Sequence, residues 1–164
     1  MVIPHMASKP TIPCSVISTV SINTKTSCCH ETCSNTNSKI HLIEPLGFSV
    51  NIKSMRRAGL DYIKNVDVKT YKNIDDFLIQ TNFKVIHLVT KFGNINYSMV
   101  KYNIGDCFIF GSEISGLSKE IYKKLDKSKK IFIPMTPKNR SINLANAVAI
   151  CLFEAWRQNN FLIS

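Results

Sequence analysis

From residue 38 onward, apolar runs of strand length alternate with segments of helical spacing, and this alternation constrains the fold more than any other feature. "KIHLIEPLGF" predicts a buried strand closed by Pro45 and Gly47. "SMRRAGLDYI" sets Met55, Ala58, Gly59 and Tyr62 near helical spacing, with Arg56 and Arg57 facing outward. "VDVKTY" is a short strand, and "IDDFLIQTN" a helix whose first turn carries Asp75 and Asp76, where the helix dipole favours negative charge. "KVIHLVTK" and "DCFIF" are apolar runs of strand length, separated by "FGNINYSMVKYNIG", a loop with short structure of its own. In and before "SKEIYKKL", Leu117, Ile121 and Leu125 recur every four residues around a capping Ser118. "KKIFIPM" supplies a further strand. "INLANAVAICLFEAWRQNNF" is a long helix, apolar around much of its circumference, which calls for burial by a sheet and by a partner subunit. The whole predicts an α/β domain with a mostly parallel sheet flanked by helices. Before residue 38, Ser, Thr, Asn and Cys show little periodicity, and "SVISTVSI" (Ser15–Ile22) is the one strand expected there. Residues 1–14 read as a disordered or non-native extension, and 15–164 as one domain.

Bulk properties narrow the classes. A chain of 164 residues with 45% hydrophobic and 20% charged residues can bury a core of its own. No run approaches the ~18 apolar residues that a membrane-spanning helix needs. The formal net charge of +10 favours polyanions, with RNA, DNA and an anionic membrane surface as the candidates. No basic segment followed by an apolar stretch marks a secretory leader, so a reducing, cytoplasmic setting with free thiols is expected. Residues 1–30 are Ser/Thr-rich and lack Asp and Glu, as an organellar transit peptide would, but they also lack Arg.

The six cysteines divide by context. Cys107 and Cys151 sit inside "DCFIF" and "AICLF", where cysteine acts as a small buried hydrophobe. "TSCCHETC" resembles a metal cluster but is a poor one. Cys28, Cys29 and His30 are consecutive, so their side chains diverge, and with Cys33 they offer no second, separated ligand pair. Neither does the stretch contain the C-x-x-C spacing of a thioredoxin-like site. No metal is expected.

In open parallel sheets ligands bind beyond the carboxyl ends of the strands, so the loops leaving apolar strands carry the functional reading. In "IFGSEISGLSKEI" a strand ends at Phe110 and runs through Gly111 and Gly116 into a helix, either an ordinary turn or a place where backbone approaches a ligand. In "FIPMTPKNRSINLANAVA", Pro134 and Pro137 stiffen a loop that brings Lys138, Asn139, Arg140, Ser141 and Asn143 to a helix N-terminus, suited to an anion. The plainer reading there is a capping Ser with a solvated basic loop. "HLVTKFG" ends a strand from Leu88 to Thr90 in a polar, glycine-containing turn. Phosphate-loop, dinucleotide-binding and nucleophile-elbow motifs are all missing from the sequence.

With these loops in this order, the chain resembles the SPOUT superfamily of AdoMet-dependent RNA methyltransferases, and more narrowly the bacterial tRNA wobble-nucleotide ribose 2′-O-methyltransferases. "HLIEPLGF", "RRAGLDY", "FGSEISGL", "IPMTPKNRSINLANAVA" and "FEAWRQ" carry the resemblance, which covers residues 32–160 nearly without a break. It implies a parallel sheet with a deep C-terminal trefoil knot and a homodimer formed through the N-terminal region and last helix. It implies S-adenosyl-L-methionine held mostly by backbone groups, with Leu88, Gly111, Ile133 and Ser141 at cofactor-contacting positions and Met135 and Leu144 adjacent. The implied substrate is the 2′-OH of the first anticodon nucleotide of tRNA, a cytidine or modified uridine. Arg56, Arg57, Lys138 and Arg140 are the candidates for its phosphates, and Ser141 and Asn143 for orienting the reactants.

One motif departs. The family's Asn-Thr-Gly-Asn, then two residues, then Arg, falls with Asn-Thr-Gly-Asn on Lys25, Thr26, Ser27 and Cys28 and with Glu31 at the Arg position. A carboxylate can act as a base, but it cannot donate an Arg fork and repels an approaching phosphate. Two readings therefore stay open: a tRNA ribose methyltransferase with Glu31 at its catalytic position, or a non-catalytic homodimer that binds AdoMet and RNA.

Overall fold

The computed structural model describes residues 15–18, 26–44, 67–112, 115–137 and 141–161. Its strands are β1 (Ser15–Ser18), β2 (Lys39–Ile43), β3 (Val68–Tyr71), β4 (Ile86–Val89), β5 (Ile95–Asn96), β6 (Cys107–Phe110) and β7 (Lys129–Phe132). Its helices are α1 (Thr26–Asn35), α2 (Ile74–Gln80), α3 (Lys119–Lys124) and α4 (Leu144–Gln158), with a 3-10 turn at Tyr97–Met99. The helix expected over "SMRRAGLDYI", the end of the "SVISTVSI" strand, Pro45, Gly47 and the 1–14 extension lie outside the described residues.

The strands form one sheet in the order β3-β2-β1-β6-β4-β7-β5. Every pairing between them is parallel, as alternating strands and helices predict. Period-two alternation divides the side chains between two cores. Phe108 and Phe110 of β6 point to one face with Ile40 and Leu42 of β2, covered by Cys29 and Cys33 of α1 and Val148, Cys151 and Leu152 of α4. Cys107 and Ile109 point to the other with Ile43 and Leu88, covered by Ile74 and Phe77 of α2 and Ile121 and Leu125 of α3. All four residues of β6 are buried, so removing the Phe108 ring would cost about 3–5 kcal/mol. Among the described residues no helix is long and apolar enough to cross a membrane.

Local signals set the helix ends. Asn73 caps α2 by accepting from the Asp76 N–H at 2.8 Å, and Ser118 caps α3 by accepting from Ile121 at 3.3 Å. Helix α1 is the element that low periodicity concealed. Its Cys29, His30 and Cys33 are buried while Glu31 is exposed, so the apparent metal cluster supplies the core-facing side of a helix. Burial pushes the Cys33 thiol pKa far up, with Cys29 adding to the effect, which keeps it protonated and unreactive. The helix stops at Asn37, φ 50°, where the Ser38 N–H reaches back to the Cys33 carbonyl at 2.8 Å.

The "FEAWRQ" segment fastens α4 to the chain between β5 and β6. Gln158 donates to the Val100 carbonyl and accepts from the Tyr102 N–H, both at 2.9 Å, and Asn159 donates to the Tyr102 carbonyl at 3.3 Å. Glu154 holds Arg157 through two bonds of 2.8 and 2.9 Å and accepts from Gln158 at 2.8 Å, orienting the clamp.

Two buried histidines tie stability to pH. His41 Nδ1 lies 2.8 Å from Tyr71 Oη. Burial lowers the His41 pKa from 6.5 to about 4, and raises that of Tyr71, so a protonated phenol donates to a neutral imidazole. His87 is lowered by burial as well, with Asp106 working against the shift. The unfolded chain therefore takes up protons that the folded sites refuse. Stability should be complete above about pH 6.5 and fall as pH drops toward about 4, with His41 contributing on the order of 3 kcal/mol to the loss. Urea unfolding across this range should show the decline, and His41→Gln should flatten it; an unchanged slope in that variant would remove His41 as its source.

Candidate active site

The three loops singled out by sequence leave neighbouring strands at one edge. In the order β6-β4-β7, Val89 pairs with Phe110 on one side and Ile131 on the other, so the strands end nearly level. Their loops meet at the carboxyl edge, where parallel sheets bind ligands.

The loop after β4 is a tight turn seated on its neighbours. Thr90 N–H donates to the Ile131 carbonyl at 3.0 Å, extending the ladder to β7, and Gly93 N–H closes back on the Thr90 carbonyl at 3.1 Å. The Thr90 hydroxyl meets Tyr122 Oη at 2.6 Å, joining the turn to α3, the helix that follows the second loop. Sequence reading missed Tyr122, since its amphipathic helix gave no reason to single it out.

The loop after β6 folds on itself. Ser112 and Gly116 exchange backbone hydrogen bonds of 3.0 and 2.9 Å, and Ser112 Oγ accepts from the Ser115 N–H at 2.9 Å. Gly111 lies against this turn so closely that a Cβ would overlap the Gly116 carbonyl carbon and the Leu117 nitrogen. The group approached is the chain's own turn, and glycine is required there because a side chain would displace that turn.

The loop after β7 leads into α4. Ile133 and Leu144 are half-buried and pack against the α1–α4 core, while Met135 is exposed. Ser141 is exposed, and the cap of α4 is Asn143, whose Oδ1 accepts from the Ala145 N–H at 2.9 Å. Its carbonyl oxygen is thus committed to the helix, and a ligand contact through Asn143 would have to use the amide nitrogen. Leu88 is fully buried among Ile109, Phe77 and their neighbours, so its side chain supports the edge from beneath. Glu31 is exposed on α1, on the side away from the buried thiols. Lys138 and Arg140, like Arg56 and Arg57, lie outside the described residues.

Beneath β4 is a pair that sequence reading also missed. His87 Nε2 and Asp106 Oδ2 lie 3.1 Å apart, both fully buried, and the same carboxylate oxygen accepts from the Asn103 N–H at 3.0 Å. Tyr102 and Phe108 pack their rings on the imidazole. The pair ties β4 to the turn before β6, at the opposite end of the strands from the loops, so its role is structural. Only "VIHLV" and "GDCF", each an apolar run with one polar residue, hinted at it.

Comparison with known proteins fits this geometry. Residues 16–153 match the SpoU rRNA Methylase family. The chain belongs to that family. A tRNA (cytidine(34)-2′-O)-methyltransferase of Aeromonas hydrophila is 43% identical over 126 residues, covering 77% of this chain and 81% of the relative. A solved structure concerned with 2-OH methylation of C/U34 on tRNA superposes with TM-score 0.81 at 29% identity, over 93% of this chain and 99% of the other. The fold is also that of an AdoMet-bound rRNA methyltransferase from Sinorhizobium meliloti, with TM-score 0.75 at 20% identity, over 96% of this chain and 60% of the other. The SpoU assignment agrees with the expected α/β class and with the loop order that carried the resemblance.

Gly111 provides a direct check on the site's construction. Gly111→Ala forces the Ser112–Gly116 turn away from β6, a change expected to destabilise by about 3 kcal/mol and to lower the melting temperature by roughly 10 °C. Ser115→Ala, at an exposed position of the same turn, should shift it far less; equal melting temperatures for wild type and Gly111→Ala would contradict the close packing.

Proposed function

We propose that this protein is an AdoMet-dependent tRNA methyltransferase that methylates the ribose 2′-OH of the wobble nucleotide, cytidine or modified uridine. The observation that carries the reading is the level carboxyl edge of β6, β4 and β7, in a chain 43% identical to a tRNA (cytidine(34)-2′-O)-methyltransferase.

The residues at this edge suit the cosubstrate. The Gly111 backbone comes close to its neighbours because it carries no side chain, and Ile133, Met135 and Leu144 offer partly exposed apolar surface. These residues, with Ser141 and the backbone near Leu88, are the proposed AdoMet contacts. AdoMet supplies a methyl group on a sulfonium, which the ribose oxygen attacks in line. The protein's task is then to hold two reactants in one orientation and to let a weakly acidic hydroxyl lose its proton. Ser141 and the amide nitrogen of Asn143 are suited to the orienting role. Arg56, Arg57, Lys138 and Arg140 are proposed to take the tRNA phosphates, consistent with the net charge of +10.

The finer architecture belongs to the same reading. A trefoil knot is supported by the strand order, because β7 enters the sheet between β4 and β5 after the chain has already passed from one to the other. A homodimer is supported by the outer face of α4 and the turn that follows it. Phe153, 44% exposed, Trp156 and Phe161, 50% exposed, form a row of rings with centroids 5.7 and 5.3 Å apart. Aromatic surface of this kind is characteristic of the centre of a protein interface. The cytoplasm, where tRNA is modified, is the proposed location.

A second reading has one observation in its favour. Glu31 stands exposed where the resemblance calls for Arg, so the chain could bind AdoMet and RNA without turnover. Transfer of labelled methyl from AdoMet to tRNA separates the two. Wild type should label the wobble ribose, and Glu31→Arg should lower the KM for tRNA several-fold by removing a charge that repels phosphate. AdoMet binding with no transfer to any tRNA would establish the second reading instead. Sedimentation equilibrium should give twice the chain mass, with Phe153→Asp shifting the protein toward monomer; a monomeric wild type would exclude the dimer.

A further inference from the structure

We propose that Phe92, on the turn after β4, is a stacking platform for a nucleobase of the RNA substrate. The inference rests on the tRNA methyltransferase reading and adds a contact that the resemblance does not assign.

Phe92 is 76% exposed, whereas Tyr71, Phe77, Phe108 and Phe110 are fully buried. An exposed apolar side chain is unremarkable alone. Its mounting and its surroundings distinguish this one. The Phe92 N–H donates to Thr90 Oγ1 at 3.3 Å, and the Asn94 N–H to the Lys130 carbonyl at 3.0 Å. A Cβ on Gly93 would come within 2.5 Å of the Ile131 carbonyl carbon and 2.8 Å of the Phe132 nitrogen, so the turn lies directly on the β7 backbone. Thr90 is in turn held by Tyr122. The ring therefore projects from a turn anchored on both sides, and the chain cannot easily fold it inward. A rigid aromatic surface loses little freedom when a planar group stacks on it.

The chemistry around the ring points to a nucleotide. Lys91 Nζ lies 5.0 Å from the centroid of the Phe92 ring. Lys91 thus sits over one face of the ring, and the turn presents the ring's other face for a base and the ammonium for its phosphate. The segment from Phe77 to Gly105 contains no Asp or Glu, so no carboxylate on it opposes an approaching polyanion. Other exposed apolar side chains leave the same edge: Met99, 79% exposed, follows β5, and Met135 follows β7. Strands β4, β7 and β5 are consecutive in the sheet, so these groups border one rim. The cofactor positions include the buried Leu88 and half-buried Ile133, whereas the Phe92 ring faces outward, as a contact for the larger substrate should.

The test uses an anticodon stem-loop RNA carrying 2-aminopurine at or beside the wobble position. Wild-type protein and Phe92→Trp should quench its fluorescence on binding. Phe92→Ala should lose the quench and bind the RNA about tenfold more weakly, within the range expected for one base–aromatic stack. AdoMet affinity and melting temperature should remain at wild-type values in both variants. Equal RNA affinity and quench in Phe92→Ala would overturn the inference while leaving the methyltransferase reading intact. Full rescue by Phe92→Leu would also overturn it, since an aliphatic side chain cannot stack. Altered sedimentation with unchanged RNA binding would make the ring a protein contact and exclude the proposal. Absence of RNA binding by wild type would defeat the tRNA reading together with this one.

Discussion

The carboxyl edge exists because β4 is hydrogen-bonded on both sides by strands that come later in the chain. Val89 pairs with Phe110 of β6 and with Ile131 of β7, and Thr90 carries the second ladder one residue further. These pairings bring three loops from distant parts of the sequence to one level. They also explain the glycines, since each turn has backbone rather than side chain immediately beside it. Gly93 lies against β7 and Gly111 against its own Ser112–Gly116 turn. Such contacts are intolerant of even one added carbon, so the edge is fixed chiefly by main-chain packing.

How much of this was legible in the sequence depended on whether the deciding interaction was local. Strands β2, β4, β6 and β7 stood out because a strand buried on both faces reads as an unbroken apolar run. The caps at Ser118 and the acidic first turn of α2 were equally local. Helix α1 was hidden because Ser, Thr, Asn and Cys favour helix weakly, and its apolar face consists of thiols that draw attention as metal ligands. What makes it a helix is packing of Cys29 and Cys33 against Cys151 and Leu152 on α4, more than a hundred positions away. The cap of α4 showed a smaller difference. Both Ser141 and Asn143 suit an N-terminus, and only the observed backbone places the bond at Asn143.

The site divided along the same line. The loops were recognisable because Gly and Pro punctuate the ends of apolar runs. That the chain's own turn occupies the place beside Gly111 could not be read without that turn folded beside it. Links such as Thr90 to Tyr122 and His87 to Asp106 join residues 32 and 19 positions apart, and no periodicity records them. "FEAWRQ", which carried the resemblance, has an evident structural purpose: its Gln158, with Asn159 directly after it, satisfies backbone groups of Val100 and Tyr102. Part of what marks the family is therefore the scaffold of the edge and not its chemistry.

Charge distribution connects the scaffold to its substrate. The net charge of +10 would mean little if the excess were spread evenly. Several carboxylates instead have cations beside them: Asp67 pairs with Lys39, Asp75 and Glu120 with Lys124, and Glu154 with Arg157. Exposed pairs of this kind contribute at most about 1 kcal/mol each to stability, but they cancel the local field around the elements that carry them. Lys84, Lys91 and Lys101 lie on a stretch without carboxylates and have no ion-pair partner among the described residues. Of the three, Lys91 lies on the turn that leaves β4 at the carboxyl edge, whereas Lys84 precedes β4 at the opposite end of the strand. An anionic ligand approaching the molecule thus meets positive charge that the scaffold has left uncompensated, on the segment that also presents Phe92. Glu31 lies on a different element, α1, and its negative charge would oppose a phosphate only where that helix faces the bound RNA. Under the proposed tRNA methyltransferase activity, Glu31 would weaken turnover at one end of the ligand while the attraction of RNA to the positive segment is retained.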